Sequence, residues 1–353
     1  MFRRPGTDIV SEEGGAFLRA RRKASSAARQ LASTVKLFSS ITRIFDRGRS
    51  PTDLAKWLEM PERELQDWIE GHPPEPRGRD FSYTEFTIPK RSGGARVIHA
   101  PSEGLKALQR KILHRLLNPL PVHPSATGFV PGRSIVTNAL PHVGRGAVIN
   151  IDLADFFPSI TRERVLKAIG ALGWNKKSGT ILANICTHED RLPQGAPSSP
   201  AISNIVCRRL DARLSALTNA EGGKYTRYAD DLTISFPQFG GKRRSRSRKG
   251  KESDGAPPDQ PARRRILTVI RRVIEDEGFK IQMKKKVRLQ RPHQRQTATG
   301  LVVNIAVNLP RAVRRRIRAM QQHERKGLLD TAAKNRLRGW EALAAMISRQ
   351  REA

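Results

Sequence analysis

The chain has 353 residues, with 66 Lys and Arg against 33 Asp and Glu, so its formal net charge is +33. Apolar residues make up 37% of the sequence, which is enough for a substantial folded body but leaves room for polar insertions. A charge excess of this size repels itself in a compact protein. It is usually explained by a polyphosphate partner, because Lys and Arg beside a nucleic-acid backbone release its condensed counterions. A basic membrane-surface protein is the alternative interpretation.

The cysteines and the N-terminal sequence indicate the cellular compartment of the protein. Two cysteines, Cys186 and Cys207, are too few for a zinc site or a disulfide framework. The N-terminal sequence MFRRPGTDIVSEEGG lacks the apolar segment of a secretory signal, and no apolar run reaches the ~18–20 residues of a membrane helix. We therefore expect a cytoplasmic protein with reduced thiols and no membrane partner.

The N-terminal part of the chain is predicted to be helical up to a linker. Apolar residues recur at helical spacing through 31–69, and Ser50 followed by Pro51 is typical of a helix start. Residues 71–80 have the Pro-rich and Gly-rich composition of a linker. Beyond it, two β-rich runs around a Gly-containing turn predict a hairpin over 83–101.

The middle of the chain is predicted to alternate helices with short strands. AVINIDL (147–153) is a nearly continuous apolar run that ends with an acid, as expected of a buried strand that carries a carboxylate to a site. The alternating segment 224–235 is interrupted by Asp230 and Asp231, which predicts two strands joined by an acidic turn. Helices are expected over 105–117, 162–172, 177–186 and 203–217.

The C-terminal third is predicted to be basic and mostly helical. Residues 239–265 form a low-complexity basic segment, which we interpret as a disordered insertion within a domain. A helix over 266–277 and a strand over 298–304 are expected to follow. From 311 onwards the sequence predicts helix with arginine on more than one face.

Three acids, Asp152, Asp230 and Asp231, stand beside apolar strands, where carboxylates are costly. Nucleotidyl transfer uses two hard cations ~3.5–4 Å apart, and Mg²⁺ takes oxygen ligands from a few carboxylates and from substrate phosphates. An Asp-Asp pair in a turn is by itself ordinary turn chemistry. The combination of YADD between strands with a strand that ends in NIDLADFF favours a two-metal site for nucleotidyl transfer.

Several sequence blocks occur in the order found in one enzyme family. In chain order they are TGFVPGRSIVTNALPH (127–142), INIDLADFFPSI (149–160), LPQGAPSSPAISN (192–204), YADDLTIS (228–235), GFKIQMKKK (278–286) and QRQTATGLVVN (294–304). Together they resemble bacterial retron reverse transcriptases, over most of the chain from about position 86 to position 304. NALPH (138–142) is similar to the retron NAxxH signature, and the last block is similar to the retron VTG block.

The resemblance implies roles for individual residues. Asp152, Asp230 and Asp231 would hold two Mg²⁺ ions, with the carbonyl of Leu153 as a further ligand. Phe157 would be the steric gate, whose ring excludes a ribose 2′-OH. Nucleotide contacts are assigned to Lys90, Arg96, Asp155, Phe156, Phe157, Gln194, Gly195 and Lys285. Contacts with template–primer or structured RNA are assigned to Arg133, Asn138, His142, Tyr228, Gly300, Asn304, Arg314 and Arg315. The structural alternatives are core packing for Phe157 and His142, and a solvated surface for Lys90, Arg96 and Lys285.

The implied fold class is α/β (α+β), with the right-hand architecture of a polymerase. A helical N-terminal region (1–80) precedes fingers (81–145 with 161–190), a palm sheet (146–300) and a helical thumb (301–353). The implied function is reverse transcription of part of a cognate structured non-coding RNA into single-stranded multicopy DNA from dNTPs. Priming from an internal guanosine 2′-OH, an anti-phage role and an effector protein as a further partner are also implied.

Two alternatives stay open. A group II intron reverse transcriptase would share the catalytic blocks, but such proteins usually carry a maturase region after the thumb, which we do not expect in this sequence. The QGAPSSP block argues against a diversity-generating reverse transcriptase. A non-catalytic RNA-binding scaffold would explain the charge, yet it would not need all three acids.

Overall fold

A computed structural model describes residues 50–69, 80–90, 93–237, 260–282 and 287–352. The first helices are α1 (Pro51–Leu58) and α2 (Glu62–Ile69). Helix α1 begins where the sequence predicted, because the Ser50 side chain accepts a hydrogen bond from the Asp53 amide at 3.0 Å. The remainder of the predicted N-terminal helical region and nearly all of the predicted linker lie outside the described residues.

The predicted hairpin is confirmed. Strands β1 (Tyr83–Pro89) and β2 (Ala95–Pro101) pair antiparallel along their whole length. Helix α3 (Glu103–Ile112) follows and runs into a π-helical turn at Leu113–Leu117, so the helix predicted over 105–117 is confirmed with an earlier start. Its apolar face lies against the core, which fixes the base of the hairpin to the rest of the protein.

A four-stranded antiparallel sheet lies at the centre of the protein, in the order β4-β5-β3-β6. Its strands are β3 (Ala147–Asp152), β4 (Lys224–Tyr228), β5 (Asp231–Phe236) and β6 (Arg288–Gln290). The first three were predicted, and the three-residue β6 was not. Strand β3 pairs on both edges, and side chains on both of its faces are buried, which explains its nearly continuous apolar sequence.

Of the helices predicted around the sheet, two are confirmed and two are revised. The predicted helices α5 (Arg162–Gly170) and α6 (Lys176–Cys186) are confirmed. The single helix predicted over 203–217 is wrong: the chain forms α7 (Ser199–Val206) and α8 (Arg208–Ala220), which break at Cys207. Helix α9 (Gln260–Asp276) begins six residues before the predicted start, so 260–265 belong to a helix and not to the basic insertion. The insertion itself, 239–259, lies outside the described residues.

The C-terminal part also differs from one expectation. In place of one strand over 298–304, two short strands, β7 (Thr297–Ala298) and β8 (Leu301–Val302), pair around a tight turn. Both turn residues, Thr299 and Gly300, have positive φ angles of 47° and 81°. The predicted basic helices follow as α10 (Arg311–Arg325) and α11 (Thr331–Glu352). No helix within the described ranges is long and apolar enough to cross a bilayer.

Two apolar cores meet at strand β3. Ile149 and Ile151 point into the larger core with α1–α3 and α5–α9, whereas Val148 points into a smaller one. The alternation follows from the two-residue period of a strand. The smaller core also contains residues of α10, α11 and the short helix α4 (Ile135–Ala139). The C-terminal helices are therefore attached to the central sheet.

A buried ion pair links the sheet to α8. Arg227 on β4 and Asp211 on α8 are both 0% exposed, and the guanidinium donates to the two carboxylate oxygens at 2.8 and 2.7 Å. The Tyr225 hydroxyl donates to the same carboxylate at 2.8 Å, and Asn204 accepts a further guanidinium hydrogen bond at 3.0 Å. Such a pair tolerates burial because nearly every charge-bearing atom has a partner.

Replacing one partner of this pair should be strongly destabilising. We expect Asp211→Asn to lower the free energy of unfolding by about 3–5 kcal/mol, because the Arg227 charge would stay buried without its counter-ion. Urea denaturation measures the change. The control is Glu163→Gln, which removes an exposed i,i+4 pair with Lys167 and should leave the stability nearly unchanged. Equal stabilities of the two variants would contradict this assignment.

Candidate active site

Two of the predicted catalytic acids face each other across the sheet. Asp152 is the last residue of β3, and its register partner on β5 is Asp231, the first residue of that strand. Residues directly opposite in an antiparallel pair have Cα atoms about 4.5–5.5 Å apart and side chains on the same face. Asp230 precedes Asp231 in the turn after β4, so the structure brings the three acids to one end of the sheet.

The acidic turn is held from two sides. Ala229 has a left-handed φ of 57°, and its carbonyl accepts a hydrogen bond from Nη1 of the buried Arg227 at 3.3 Å. The Asp230 carbonyl accepts a hydrogen bond from the Leu153 amide at 3.0 Å. Because the N–H and C=O of one strand residue point to the same edge, the Leu153 carbonyl also lies on the edge that faces the turn.

The acids and the Leu153 carbonyl fit a hard divalent cation by their chemistry, since all the donors are oxygen atoms. Within the described ranges, no three acidic, His or Cys side chains are already arranged around a common point as metal ligands.

The loop after β3 presents two phenylalanines. Asp155 at its start is exposed and has a φ of 43°. Phe156 is 5% exposed and stacks on Phe279, with ring centroids 5.8 Å apart. Phe157 is only partly buried and meets Phe156 edge to face at 5.3 Å. Phe156 is therefore a core residue beneath the site, and Phe157 is the ring at its surface.

The segment that was predicted to border the nucleotide is attached to the hairpin. The Gln194 carbonyl accepts a hydrogen bond from the His99 amide on β2 at 2.9 Å. Gly195 has a φ of 134°, and a Cβ there would lie 2.7 Å from the His99 carbonyl oxygen. Only glycine fits this close approach. The same Cβ would lie 3.0 Å from a methyl carbon of Ile98, so Gly195 lies beside the hairpin face that carries Ile98.

Arg96 lies on that face of the hairpin. It is two residues from Ile98 on β2 and pairs with Ile88 on β1. Because side chains alternate along a strand, Ile88, Arg96 and Ile98 share one face. Lys90 follows directly after β1. Both cations are exposed.

The sequence profile of the family described as Reverse transcriptase (RNA-dependent DNA polymerase) matches residues 88–298, which is more than half of the chain. The chain belongs to the reverse transcriptase family. The predicted fold class, a right-hand polymerase with a palm sheet and a helical thumb, is confirmed by this match, and the domain boundaries stay predictions.

Curated relatives of this reverse transcriptase are retron proteins. It is 40% identical over 291 residues to the retron Mx65 reverse transcriptase of Myxococcus xanthus, covering 77% of this chain and 63% of the relative. It is 40% identical over 269 residues to the retron Mx162 reverse transcriptase of the same organism, covering 69% and 53%. It is 32% identical over 282 residues to the retron Ec73 reverse transcriptase of Escherichia coli, and the match covers 74% of this chain and 82% of the relative. The chain thus spans about half to two thirds of the length of the two Myxococcus relatives. The resemblance to retron reverse transcriptases is confirmed.

Two residues of the NAxxH-like segment need a correction. Asn138 and His142 are both 0% exposed, so the expectation that they contact nucleic acid directly is wrong for these side chains. Asn138 accepts a hydrogen bond from the Thr127 hydroxyl at 2.7 Å. The two ring nitrogens of His142 lie 2.7 and 2.8 Å from the hydroxyls of Ser235 and Thr226. In this reverse transcriptase the segment fastens α4 to the palm sheet.

The other residues assigned to nucleic acid are distributed over several elements. Arg133, Arg314 and Arg315 are exposed, the last two on α10. Gly300 occupies the β7–β8 turn, and Tyr228 is partly buried at the end of β4. The Asn304 amide donates to the carbonyls of Pro292 and Gln294 at 3.2 and 2.8 Å, which makes it a loop-bracing residue as well. Lys285 lies outside the described residues.

Sequence reasoning missed two features of the site. The first is the network of Asn204, Asp211 and Arg227 behind the acidic turn. The sequence indicates this network only through Asp211, an acid on the apolar face of α8 three residues before the buried Leu214. The second is Phe129, an exposed ring beside Phe157 and Tyr228 at centroid distances of 6.2 and 6.3 Å. No local pattern distinguishes it from a surface loop residue.

The buried position of His142 predicts a pH effect on stability. Burial lowers the pKa of His142 to about 3, whereas the unfolded chain would titrate near 6.5. The stabilising contribution of the neutral ring is therefore complete above about pH 6.5. It is lost by about 1.4 kcal/mol per pH unit as the pH falls towards 3, because only the unfolded chain takes up the proton.

We expect the stability difference between the wild type and His142→Gln to shrink as the pH is lowered from about 7 to about 5. Urea denaturation at several pH values measures it. His114→Gln, which changes an exposed histidine, is the control and should leave the pH dependence as it is in the wild type. A constant difference between the wild type and His142→Gln would contradict the burial of a neutral ring.

Proposed function

We propose that this chain is an RNA-directed DNA polymerase that uses Mg²⁺ to add deoxynucleotides to a primer. The observation that carries the proposal is the register pair of Asp152 and Asp231, with Asp230 beside it, in a chain of the reverse transcriptase family. Carboxylates from adjacent strands at one sheet end are what two-metal nucleotidyl transfer requires. The non-catalytic scaffold is disfavoured, because it gives no reason for acids to meet there.

The residues around the acids would bind and orient the substrates. When bound, two Mg²⁺ ions would lower the pKa of the attacking hydroxyl and neutralise the leaving pyrophosphate. The three carboxylates and the Leu153 carbonyl would hold them. Lys90 and Arg96 on the hairpin would bind the triphosphate, where fixed positive charge stabilises the developing negative charge. Gln194 and Gly195 would border the nucleotide, and Lys285 would approach the pyrophosphate.

Phe157 would select deoxynucleotides. Its ring is partly buried and rests on Phe156, which in turn rests on Phe279, so it has little freedom to move aside. A fixed ring at the sugar position would clash with a ribose 2′-OH. The stacking behind the ring supports a gate, because a gate requires rigid support.

The basic C-terminal helices would hold the template–primer. Helix α10 carries exposed arginines, among them Arg314 and Arg315, on a support anchored by the buried Ile317. Phosphate contacts position a duplex without reading its sequence, and RNA duplexes are recognised mainly by shape and backbone. With a net charge of +33, steep salt dependence of binding is expected.

The finer proposal is retron-type synthesis: DNA copied from part of a cognate structured RNA, starting at an internal guanosine 2′-OH. It is supported by the retron relatives that the chain matches at 40% identity. Starting from one internal hydroxyl requires the RNA to be held in a fixed pose, because the effective molarity of the hydroxyl falls steeply when it is out of position. The β7–β8 turn around Gly300 and the thumb helices are the proposed holding surface. A role in anti-phage defence and an effector protein stay predictions from the resemblance.

Asp230→Asn should abolish DNA synthesis on an RNA template. We expect primer extension with Mg²⁺ to fall by about 10²- to 10³-fold, the usual cost of losing one charge-stabilising group in a reaction site. RNA affinity should be nearly unchanged, because the acid serves the metal and not the RNA. Asp67→Asn on the exposed side of α2 is the matched control and should retain full activity. Normal extension by Asp230→Asn would contradict the proposal.

The retron proposal predicts a branched product. Co-expression of the chain with its flanking genomic DNA should yield single-stranded DNA joined to RNA by a 2′–5′ bond, which debranching enzyme releases. Replacing the β7–β8 turn, for example by Gly300→Val, should reduce this product and spare extension of an annealed primer. DNA that is made only from annealed primers would instead favour the intron-type alternative.

A further inference from the structure

An aromatic ring stands exposed beside the active site. Phe129 is 45% exposed, and its ring centroid lies 6.2 Å from that of Phe157 and 6.3 Å from that of Tyr228. One neighbour is the proposed gate and the other precedes the catalytic acids. A single exposed apolar side chain is ordinary, but an exposed ring grouped with two others beside a polar site marks a candidate binding surface. Phe129 has no part in the roles proposed above.

The backbone of Phe129 is held in an unfavourable conformation. Its φ is 61°, the left-handed region that a bulky side chain rarely adopts. Such strain persists only where the surroundings impose it, and it is concentrated at functional sites. Here the strained residue carries an exposed ring beside Phe157 and Tyr228.

The surroundings do impose this conformation. The carbonyl of Gly128 accepts a hydrogen bond from the buried Asn204 amide at 3.0 Å, and the carbonyl of Arg227 accepts one from the Thr127 amide at 2.8 Å. Gly128 itself lies so close to the acidic turn that a Cβ would be 2.6 Å from the Ala229 amide nitrogen. The segment that carries Phe129 is thus fastened to the backbone of the catalytic turn.

Phe129 also extends a series of side chains that contact one another through their rings. The guanidinium of Arg164 lies 4.2 Å from the ring centre of Phe279. Phe279 stacks on Phe156 at 5.8 Å, and Phe156 meets Phe157 at 5.3 Å. Phe129 is the next ring, and it is the exposed one. The series gives the ring a rigid support that begins in the protein core.

We propose that Phe129 is a substrate-positioning residue that contacts the terminal base pair of the template–primer duplex. This inference rests on the proposed function, since it assumes that the primer end lies at Asp230 and Asp231. A ring that neighbours both the proposed gate and the tyrosine before those acids lies close to where that base pair would meet the incoming nucleotide. Aromatic contact with a base or sugar tolerates any sequence, as a general polymerase requires.

The test compares three Phe129 variants on an RNA template with an annealed DNA primer. Phe129→Ala and Phe129→Gly should lower kcat/KM for dNTP addition by about 5- to 150-fold, the range expected for loss of one aromatic contact with a base. Phe129→Tyr should retain most of the activity. The Kd for template–primer should rise by no more than the same factor, and its salt dependence should stay as in the wild type, because the ring neutralises no phosphate.

Phe129→Gly separates positioning from folding. Glycine accepts the positive φ without strain, so the melting temperature of this variant should not fall below that of Phe129→Ala. The control for losing an exposed apolar side chain is Val269→Ala, at 43% exposure on α9, which should keep wild-type kinetics. Wild-type kcat/KM in Phe129→Gly would overturn the inference. An inactive wild-type chain would overturn the proposed function itself, and with it this inference.

Discussion

The pairing register of β3 and β5 is the constraint on which the active site depends. It sets Asp152 opposite Asp231 at the open end of the palm sheet. A slip of one residue would turn every side chain of the strand to the other face, so the acids would separate and the two cores would exchange their residues. The register is specified strongly because β3 is buried on both faces, with Val148 in one core and Ile149 in the other. The packing that stabilises the fold therefore also aligns the chemistry.

The strand register does not by itself fix the conformation of the acidic turn. The buried Arg227 holds that turn in place. Its guanidinium joins Asp211 on α8 to the carbonyl of Ala229 in the acidic turn. A buried ion pair is weak evidence for added stability, because an apolar replacement is often as stable. Apolar packing, however, does not provide directional hydrogen bonds of the kind that join α8 to the acidic turn. The Arg227 carbonyl also accepts a hydrogen bond from the Thr127 amide, so the same residue holds the segment that leads to Phe129.

Local patterns predicted most of the elements, and long-range contacts explain the failures. The β3 strand, the hairpin and the acids were visible as apolar runs and turn chemistry. The break at Cys207 was missed because no Gly or Pro marks it and the helical spacing of apolar residues continues. His142 was expected to contact nucleic acid, with core packing as the alternative. Its hydrogen-bond partner Ser235 is 93 residues away, and no local sequence pattern indicates such a bond. Phe129 was missed because exposure and backbone strain depend on the neighbours that the fold supplies.

We propose that Asp152, Asp230 and Asp231 form one metal site that acts on nucleic acid. Replacing Mg²⁺ by Fe²⁺, with ascorbate and peroxide, makes a bound ion cut the nearest backbone, so cleavage maps the site without relying on activity. With template–primer bound, we expect cuts next to residue 152 and next to residues 230–231, and neither cut in Asp231→Asn. Cuts elsewhere in the chain, or cuts that persist in Asp231→Asn, would show that the three acids do not form this site.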